Sequence, residues 1–189
     1  FEEPDEVIGV MLQENKAYEK QDNSLLPNFP LKLHGVYTKA QIQVAIGTST
    51  LARKSSAREG VERNKLLNVE AMFVDIIKNR EEGSTTDYDD KALSPYLFQW
   101  DTQNRVKPES NEGQAYIHQT QTMLLFVREQ KNFVEDKTRT MGYVYLGRVT
   151  LSDWEYKNLG NRMQMQIRWN MVEPIPGSVM HFARMKEMA

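Results

Sequence analysis

The stretch RMQMQIRWNMV, residues 162–172, decides the fold class of this chain. Apolar side chains take every second position, and polar side chains take the positions between them. Successive side chains of a β-strand point to opposite faces of the sheet, so a period of two predicts a strand with one buried face. The apolar set is Met163, Met165, Ile167, Trp169 and Met171, and the polar set is Gln164, Gln166, Arg168 and Asn170.

Further strand patterns precede this stretch. Residues 142–151 alternate, residues 123–128 form a short apolar run, and residues 68–78 are rich in β-branched and aromatic side chains. Helix signals are fewer: Thr38 is an N-cap candidate before an apolar run, and residues 88–93 allow a short helix. Together these patterns predict an α+β domain with a curved or barrel-like, mainly antiparallel sheet and one or two flanking helices.

The composition suits one folded domain. The chain has 189 residues, of which 40% are hydrophobic, and a mass of 22.0 kDa. No stretch approaches the roughly 18 uncharged apolar residues that a spanning helix needs, which argues against an integral membrane protein. The chain has no cysteine, which excludes disulfides, thiol catalysis and thiolate metal sites.

The formal net charge of −2 is unevenly distributed. Residues 1–22 hold seven acidic and two basic side chains, a net charge of −5, so residues 23–189 are mildly basic at +3. A mildly basic body behind an acidic arm is compatible with a nucleic-acid partner, although the total charge is negative.

The N-terminal residues look like an arm rather than part of the compact domain. We expect an acidic amphipathic helix and a linker over residues 1–30, followed by the domain over residues 31–189. The chain starts at Phe1 with neither an initiator Met nor an apolar leader. We therefore expect no signal peptide and interpret the chain as a piece of a longer protein.

The sequence offers no catalytic centre of its own. The three histidines, His34, His118 and His181, lack the spacing that brings two metal ligands onto one face. No glycine-rich phosphate loop is present, and the acidic residues near Lys16 and Lys137 match a two-acid-and-lysine nuclease pattern only in part. We expect no metal, no cofactor and no catalytic residue.

Acidic and aromatic residues crowd together between residues 87 and 103. One interpretation is a solvated acidic loop followed by a strand that buries Phe98 and Trp100. The other is a pocket for a planar ligand, in which aromatic faces stack on a base and a carboxylate or amide reads its hydrogen-bonding edge. The residues alone leave both interpretations open.

A basic, hydroxyl-bearing loop is the second candidate site. Lysine and arginine neutralise phosphate charge, and serine hydroxyls and backbone N–H groups position it, so this loop is a candidate for DNA-backbone contacts. An ordinary solvated loop is the alternative. The basic residues are Arg53, Lys54, Arg58, Arg63 and Lys65.

Several short motifs resemble a known family. They are LHGVYT at 33–38, GV at 60–61, YDD at 88–90, FQWDTQ at 98–103, LLFVR at 124–128 and YLG at 145–147. They resemble the C-terminal target-recognition domain of SauUSI-type enzymes, which are type IV, modification-dependent, ATP-dependent restriction endonucleases. Those enzymes join this domain to a phospholipase-D-like nuclease and a superfamily-two helicase. The resemblance covers about residues 31–177, and Thr102 stands where the family pattern has serine.

The resemblance implies an SRA/PUA-like fold and a non-catalytic module that binds double-stranded DNA containing 5-methylcytosine or 5-hydroxymethylcytosine. It implies base flipping into a pocket in which Tyr88, Phe98 and Trp100 form walls or stack, Asp90 accepts from the cytosine amino group and Gln103 is a polar partner. It also implies a cytoplasmic bacterial protein of phage defence, with helicase and nuclease domains in the parent chain and dimerisation through that parent. The alternative is a docking or dimerisation module that reads no base.

Overall fold

The computed structural model describes residues 29–55, 60–77 and 88–184. In these residues the chain folds as an α+β domain with one eight-stranded sheet. The strands are β1 (Val36–Tyr37), β2 (Val61–Asn64), β3 (Val69–Asp75), β4 (Lys91–Ser94), β5 (Leu97–Asp101), β6 (Thr122–Arg128), β7 (Tyr143–Asn158) and β8 (Met163–Met171). The helices are α1 (Lys39–Ala45), α2 (Asn111–His118) and α3 (Gly177–Arg184).

The sheet is open and mainly antiparallel, as predicted. Its strand order is β2-β3-β6-β7-β8-β5-β4, with β1 paired beside the start of β7. The β3–β6 pair is parallel, and the other pairs of the described residues are antiparallel.

Strand β7 connects the two halves of the sheet. Its first residues pair with β6 and its last residues with β8, so one 16-residue strand serves both neighbours. The register shifts near Gly147 and again near Ser152, and Gly147 has a φ of 90°. Such bulges bend and twist a strand, and the left-handed conformation favours glycine at the first of them. The curvature of the sheet therefore concentrates in this strand.

Each face of the sheet has its own apolar core. The inner face packs against α2 and α3, and its core includes Trp169, Ile167 and Phe98. The outer face packs against α1 over strands β3 and β6, through residues such as Ile42 and Phe126. Burial of these side chains is the main stabilising contribution to the domain.

The two strongest sequence patterns are confirmed. The period-two stretch forms β8, and Met165, Ile167 and Trp169 are completely buried. Thr38 caps α1 in a capping box, in which its hydroxyl accepts from the Gln41 N–H and the Gln41 side chain accepts from the Thr38 N–H.

The expected short helix over residues 88–93 is wrong. Residues Lys91–Ser94 form strand β4, because Ala92 pairs opposite Phe98 and is buried with it. Strand pairing and burial outweigh the weak local helix preference here. Residues 1–28, which contain the expected acidic helix, lie outside the described residues, and the boundary near residue 30 stays a prediction.

Candidate nucleic-acid interface

A polar patch lies on the outer face of strands β5 and β8. Phe98 and Trp100 of β5 point into the inner core, so Gln99 and Asp101 between them point outward. Gln164 and Gln166 of β8 alternate in the same way with Met165. All four polar side chains are buried, with at most 7% of their surface exposed.

Residues 88–90, which we call the acidic segment, are bonded to this patch. The Asp89 N–H donates to Asp101 Oδ2 at 2.7 Å, and the Asp101 N–H donates to Asp90 Oδ1 at 2.8 Å. Gln99 Nε2 donates to the Asp89 carbonyl at 3.0 Å and to its carboxylate at 2.9 Å. The acidic segment is therefore fixed to the end of β5 from both sides.

Two carboxylates and a phenol meet at this point. Asp90 is only 3% exposed and Asp101 only 5%. Burial raises the pKa of Tyr88, and the negative charge of Asp90 raises it further, while Arg162 acts in the opposite direction. A hydrogen bond with the Asn104 backbone also links Tyr88 to the loop after β5. The phenol therefore stays protonated near neutral pH.

The predicted pocket residues separate into two groups. Tyr88, Asp90 and the loop that contains Gln103 lie together at the end of β5, and Gln103 is partly exposed. Phe98 and Trp100 lie on the inner side of β5 and are 0% and 4% exposed. The Trp100 ring packs edge-on against Tyr116 with the ring centres 5.5 Å apart. In this structure Phe98 and Trp100 pack in the core, beneath the strand that carries the polar patch.

The basic loop forms part of an open cleft. The cleft has a volume of about 520 Å³ and lies between the turn after α1 and strand β2. Three of the predicted phosphate contacts, Arg53, Arg63 and Lys65, line it together with the hydroxyl residues Thr48 and Ser55. Lys54 is exposed beside the cleft but does not line it, and Arg58 lies outside the described residues.

A buried carboxylate fixes the shape of this cleft. Glu62 of β2 is 7% exposed, accepts from Gln43 Nε2 at 2.9 Å and accepts from the Ser55 hydroxyl. The Ser55 N–H donates in turn to Ser49 Oγ at 2.8 Å. These bonds connect α1, the basic loop and β2, so the cationic side chains project from an ordered frame.

The structure does not bring the two candidate sites together along the sheet. The basic cleft lies at β2, at one edge, whereas the polar patch lies on β5 and β8, near the other edge. Four strand pairings separate β2 from β8. A ligand that contacts both sites must therefore be extended, as a nucleic-acid duplex is.

The polar patch suits recognition of a hydrogen-bonding edge. Asp90 carries acceptor atoms, and the partly exposed Gln103 carries an amide donor. The amide nitrogens of Gln99, Gln164 and Gln166, in contrast, already donate within the protein. Within the described ranges, no group of three or more His, Asp or Glu side chains could hold a metal ion. In the same ranges no helix is long and apolar enough to cross a membrane.

Sequence reasoning missed Gln99, Asp101, Gln164 and Gln166 as parts of this site. The alternation of β8 does show that the two glutamines share a face, but a polar face is ordinarily solvated, and nothing local indicates that they are buried. One signal could have indicated them. An exposed face of a strand usually carries charged side chains, whereas the polar face of β8 carries glutamines at alternate positions, and neutral amides are more easily buried.

Comparison with known proteins gives a family match and remote structural similarity. Residues 31–182 match the family model described as "Domain of unknown function (DUF3427)". No curated protein is similar enough to count as a match. The solved structure of Arabidopsis thaliana SUVH6 in complex with SAM has 10% identity and a TM-score of 0.47, and covers 92% of this chain and 33% of its own. The structure of SUVH9 has 12% identity and a TM-score of 0.49, and covers 95% of this chain and 37% of its own. The chain thus spans about a third of the length of these solved chains.

Proposed function

The chain belongs to the DUF3427 family, whose model matches residues 31–182, and we propose that it is a non-catalytic module that reads modified cytosine in double-stranded DNA. The modified base is 5-methylcytosine or 5-hydroxymethylcytosine, flipped out of the duplex in an SRA-like manner. The parent protein is a cytoplasmic bacterial restriction endonuclease driven by ATP, and this module directs it to modified DNA. The observation that carries the proposal is the buried carboxylate of Asp90, fixed beside Tyr88 at the mouth of the polar patch.

The chemistry of the base edge supports this assignment. The Watson–Crick edge of cytosine carries an amino donor, which a carboxylate accepts, and two acceptors, which amide or backbone N–H groups satisfy. Thymine carries the same 5-methyl group as 5-methylcytosine but presents a carbonyl where cytosine has the amino group. The Asp90 carboxylate would repel that carbonyl. The site therefore discriminates by the edge of the base as well as by its methyl group.

Tyr88 is the aromatic residue best placed to cover a flipped base. It is only partly buried, and it lies at the end of β5, where the charge of Asp90 acts on its phenol. Phe98 and Trp100 lie in the inner core, under the strand whose outward residues hold the acidic segment. They form the apolar support of the site and fix the position of that strand. Gln103 supplies a further polar group from the loop after β5.

The basic cleft holds the phosphate backbone of the same DNA. Arg53, Arg63 and Lys65 line one cleft, and Lys54 is exposed beside it. Arg58, three residues after Ser55 in the sequence, adds a further positive charge to this segment. Such contacts carry affinity but little sequence information. Their contribution falls with salt concentration because bound counterions are released from the DNA.

The test is fluorescence anisotropy on three duplexes that differ at one position: 5-methylcytosine opposite guanine, cytosine opposite guanine, and thymine opposite guanine. A buried methyl group contributes about 1 kcal/mol, so we expect the methylated duplex to bind about fivefold more tightly than the unmethylated duplex. In Asp90→Asn the side chain can donate to the thymine carbonyl, and we expect the variant to bind the thymine duplex more tightly than the wild type does.

Asp89→Asn is the matched control. Its side chain is about half exposed and faces Lys91, and the substitution is chemically the same one residue earlier. We expect it to keep the wild-type preference. Equal binding of methylated and unmethylated DNA by the wild type would contradict the proposal and leave a module that only clamps phosphates. No binding to any duplex would favour the docking and dimerisation alternative.

A further inference from the structure

A chain of polar side chains runs across the outer face from β7 to the acidic segment. It passes from Asp153 through Arg168, Gln166 and Asp101 to Asp89. We propose that Gln166 is a positioning residue: it orients the Asp101 carboxylate, which holds the Asp89 N–H and through it the adjacent Asp90, the residue that reads the base. This inference rests on the proposed function of Asp90, but the positioning itself can be tested without DNA.

The contact between Gln166 and Asp101 is central to the argument. Gln166 is 2% exposed, and its Nε2 donates to Asp101 Oδ1 at 2.9 Å. The other oxygen of the same carboxylate accepts from the Asp89 N–H at 2.7 Å. Both oxygens of Asp101 are thus engaged, one by the sheet and one by the acidic segment. A change in the orientation of the carboxylate at one oxygen must disturb the bond at the other.

Asp101 also acts through its backbone. Its N–H donates to Asp90 Oδ1 at 2.8 Å, so the side chain of Asp101 holds Asp89 while its main chain holds Asp90. These two bonds in opposite directions fix two successive residues of the acidic segment. Gln99 adds a second attachment, but only to Asp89. Asp101 therefore contacts two residues of the acidic segment, Asp89 through its side chain and Asp90 through its main chain.

Arg168 determines which way the Gln166 amide faces. Arg168 Nη1 donates to Gln166 Oε1 at 3.4 Å, and its Nε is paired with the Asp153 carboxylate. A guanidinium has donors only, so the amide oxygen must face Arg168 and the amide nitrogen must face Asp101. The reverse orientation would place an amide N–H₂ against the guanidinium and an oxygen against the carboxylate. The amide is thus oriented as a donor to Asp101.

In this arrangement the charge of residue 166 determines whether its side chain can hold the Asp101 carboxylate in place. A neutral donor satisfies the buried Asp101 carboxylate, and loss of that donor leaves a buried acceptor unsatisfied, which is unfavourable. An ionised carboxylate at position 166 would be repelled by Asp101 and by Glu155, which lies opposite on β7, and attracted by Arg168; a protonated carboxyl group would again donate to Asp101. Gln166→Glu therefore turns the positioning into a pH-dependent property.

The experiment compares Gln166→Leu, Gln166→Glu and the wild type by amide hydrogen exchange of Asp89 and by the ratio of affinities for methylated and unmethylated duplexes. Gln121→Leu is the matched control, because Gln121 is also a buried amide that donates to a buried carboxylate, Glu70, elsewhere on the sheet. We expect Gln166→Leu to lower the protection of the Asp89 amide about tenfold and to bring the affinity ratio close to one. Gln121→Leu should leave both readouts at the wild-type level.

In Gln166→Glu we expect both readouts to be impaired at pH 8 and to recover as the pH falls to 5. Each value is compared with the wild type at the same pH, because Glu70 has a pKa of about 7 and also titrates in this range. This variant keeps the shape of the side chain, so it provides a test even where the leucine variant folds poorly.

Unchanged protection of the Asp89 amide in Gln166→Leu would overturn the proposal. So would an equal loss in Gln121→Leu, because that result would indicate general destabilisation. A wild type without preference for methylated DNA would instead overturn the proposed function, and the exchange data would still decide whether Gln166 positions the acidic segment. Recovery of exchange protection at low pH without recovery of the affinity ratio would overturn the link from Gln166 to base reading.

Discussion

Glu70 gives the domain a stability that depends on pH. The side chain is 5% exposed on strand β3, its carboxylate accepts from Tyr116 Oη at 3.3 Å, and it also accepts from Gln121 Nε2. Burial raises the pKa of Glu70 from 4.5 to about 7, although the two hydrogen bonds and Arg63 act in the opposite direction. The desolvation of the charged form therefore outweighs the contacts that stabilise it.

The sign of the effect follows from the number of bound protons. Between pH 4.5 and pH 7 the native state holds a proton on Glu70 that the unfolded state has released, so the free energy of unfolding falls as the pH rises. A pKa raised from 4.5 to about 7 corresponds to a loss of about 3 kcal/mol that is complete above pH 7. The contribution is fully present below pH 4.5.

We expect Glu70→Gln to remove this dependence. A glutamine at position 70 keeps one oxygen that accepts from Tyr116, its N–H₂ group can donate to Gln121 Oε1, and it carries no charge at any pH. Urea denaturation followed by tryptophan fluorescence at several values between pH 5 and pH 8 measures the difference. The variant should gain stability relative to the wild type as the pH rises, by up to about 3 kcal/mol.

Glu112→Gln is the control for this experiment, because Glu112 lies nearby on α2 but is exposed. The charge of Glu112 adds only a smaller contribution to the burial that raises the pKa of Glu70, so we expect this variant to keep most of the pH dependence of the wild type. Parallel stability curves for the wild type and Glu70→Gln would refute the reasoning, since they would show that the native state ionises Glu70 as easily as the unfolded chain does.

Two further predictions concern DNA binding and the core. The combined substitution of Arg53, Arg63 and Lys65 by glutamine should weaken binding to all duplexes alike. It should also reduce the slope of log affinity against log salt by about 0.9 for each lost phosphate contact. Anisotropy titrations at several salt concentrations measure this slope, and an unchanged slope would contradict a role for the cleft. Trp100→Ala should lower the free energy of unfolding by about 3–5 kcal/mol, because it removes a buried indole that packs against Tyr116. Trp154→Ala, at a 37% exposed position, should cost much less, and equal losses in thermal or urea denaturation would disprove the core assignment of Trp100.

The sequence predicts the fold best where one local period coincides with burial. The alternation over residues 162–172 is such a case, because the same side chains that set the period fill the inner core as Met165, Ile167 and Trp169. The signal is weaker for β4, whose four residues carry no period of their own. That strand forms because β5 pairs with it. A pairing of this kind does not produce a recognisable pattern in the sequence of the four residues.

In the candidate site, too, the sequence predicts the local motifs but not the contacts between distant strands. The YDD and FQWDTQ motifs contain Tyr88, Asp90 and Gln103, and the structure brings the two motifs together at the end of β5. Gln166, which donates to the Asp101 carboxylate, is 76 residues downstream of Asp90 in the chain and joins the site only through the pairing of β5 with β8. Hydrogen bonds across a sheet connect residues whose separation in sequence is set by the topology, so local motifs do not predict them.

The two faces of β5 also determine which variants can test the function. Trp100 and Asp101 are neighbours in the chain, and one fills the inner core while the other holds the acidic segment on the outer face. Loss of the indole would shift the strand that carries Asp101, so Trp100→Ala would weaken DNA binding whether or not Trp100 ever touches a base. Asp90→Asn has no such ambiguity, because it changes the hydrogen-bonding edge offered to the base and predicts a gain for thymine. A gain of that kind cannot arise from destabilisation, so base reading by this surface is best tested there.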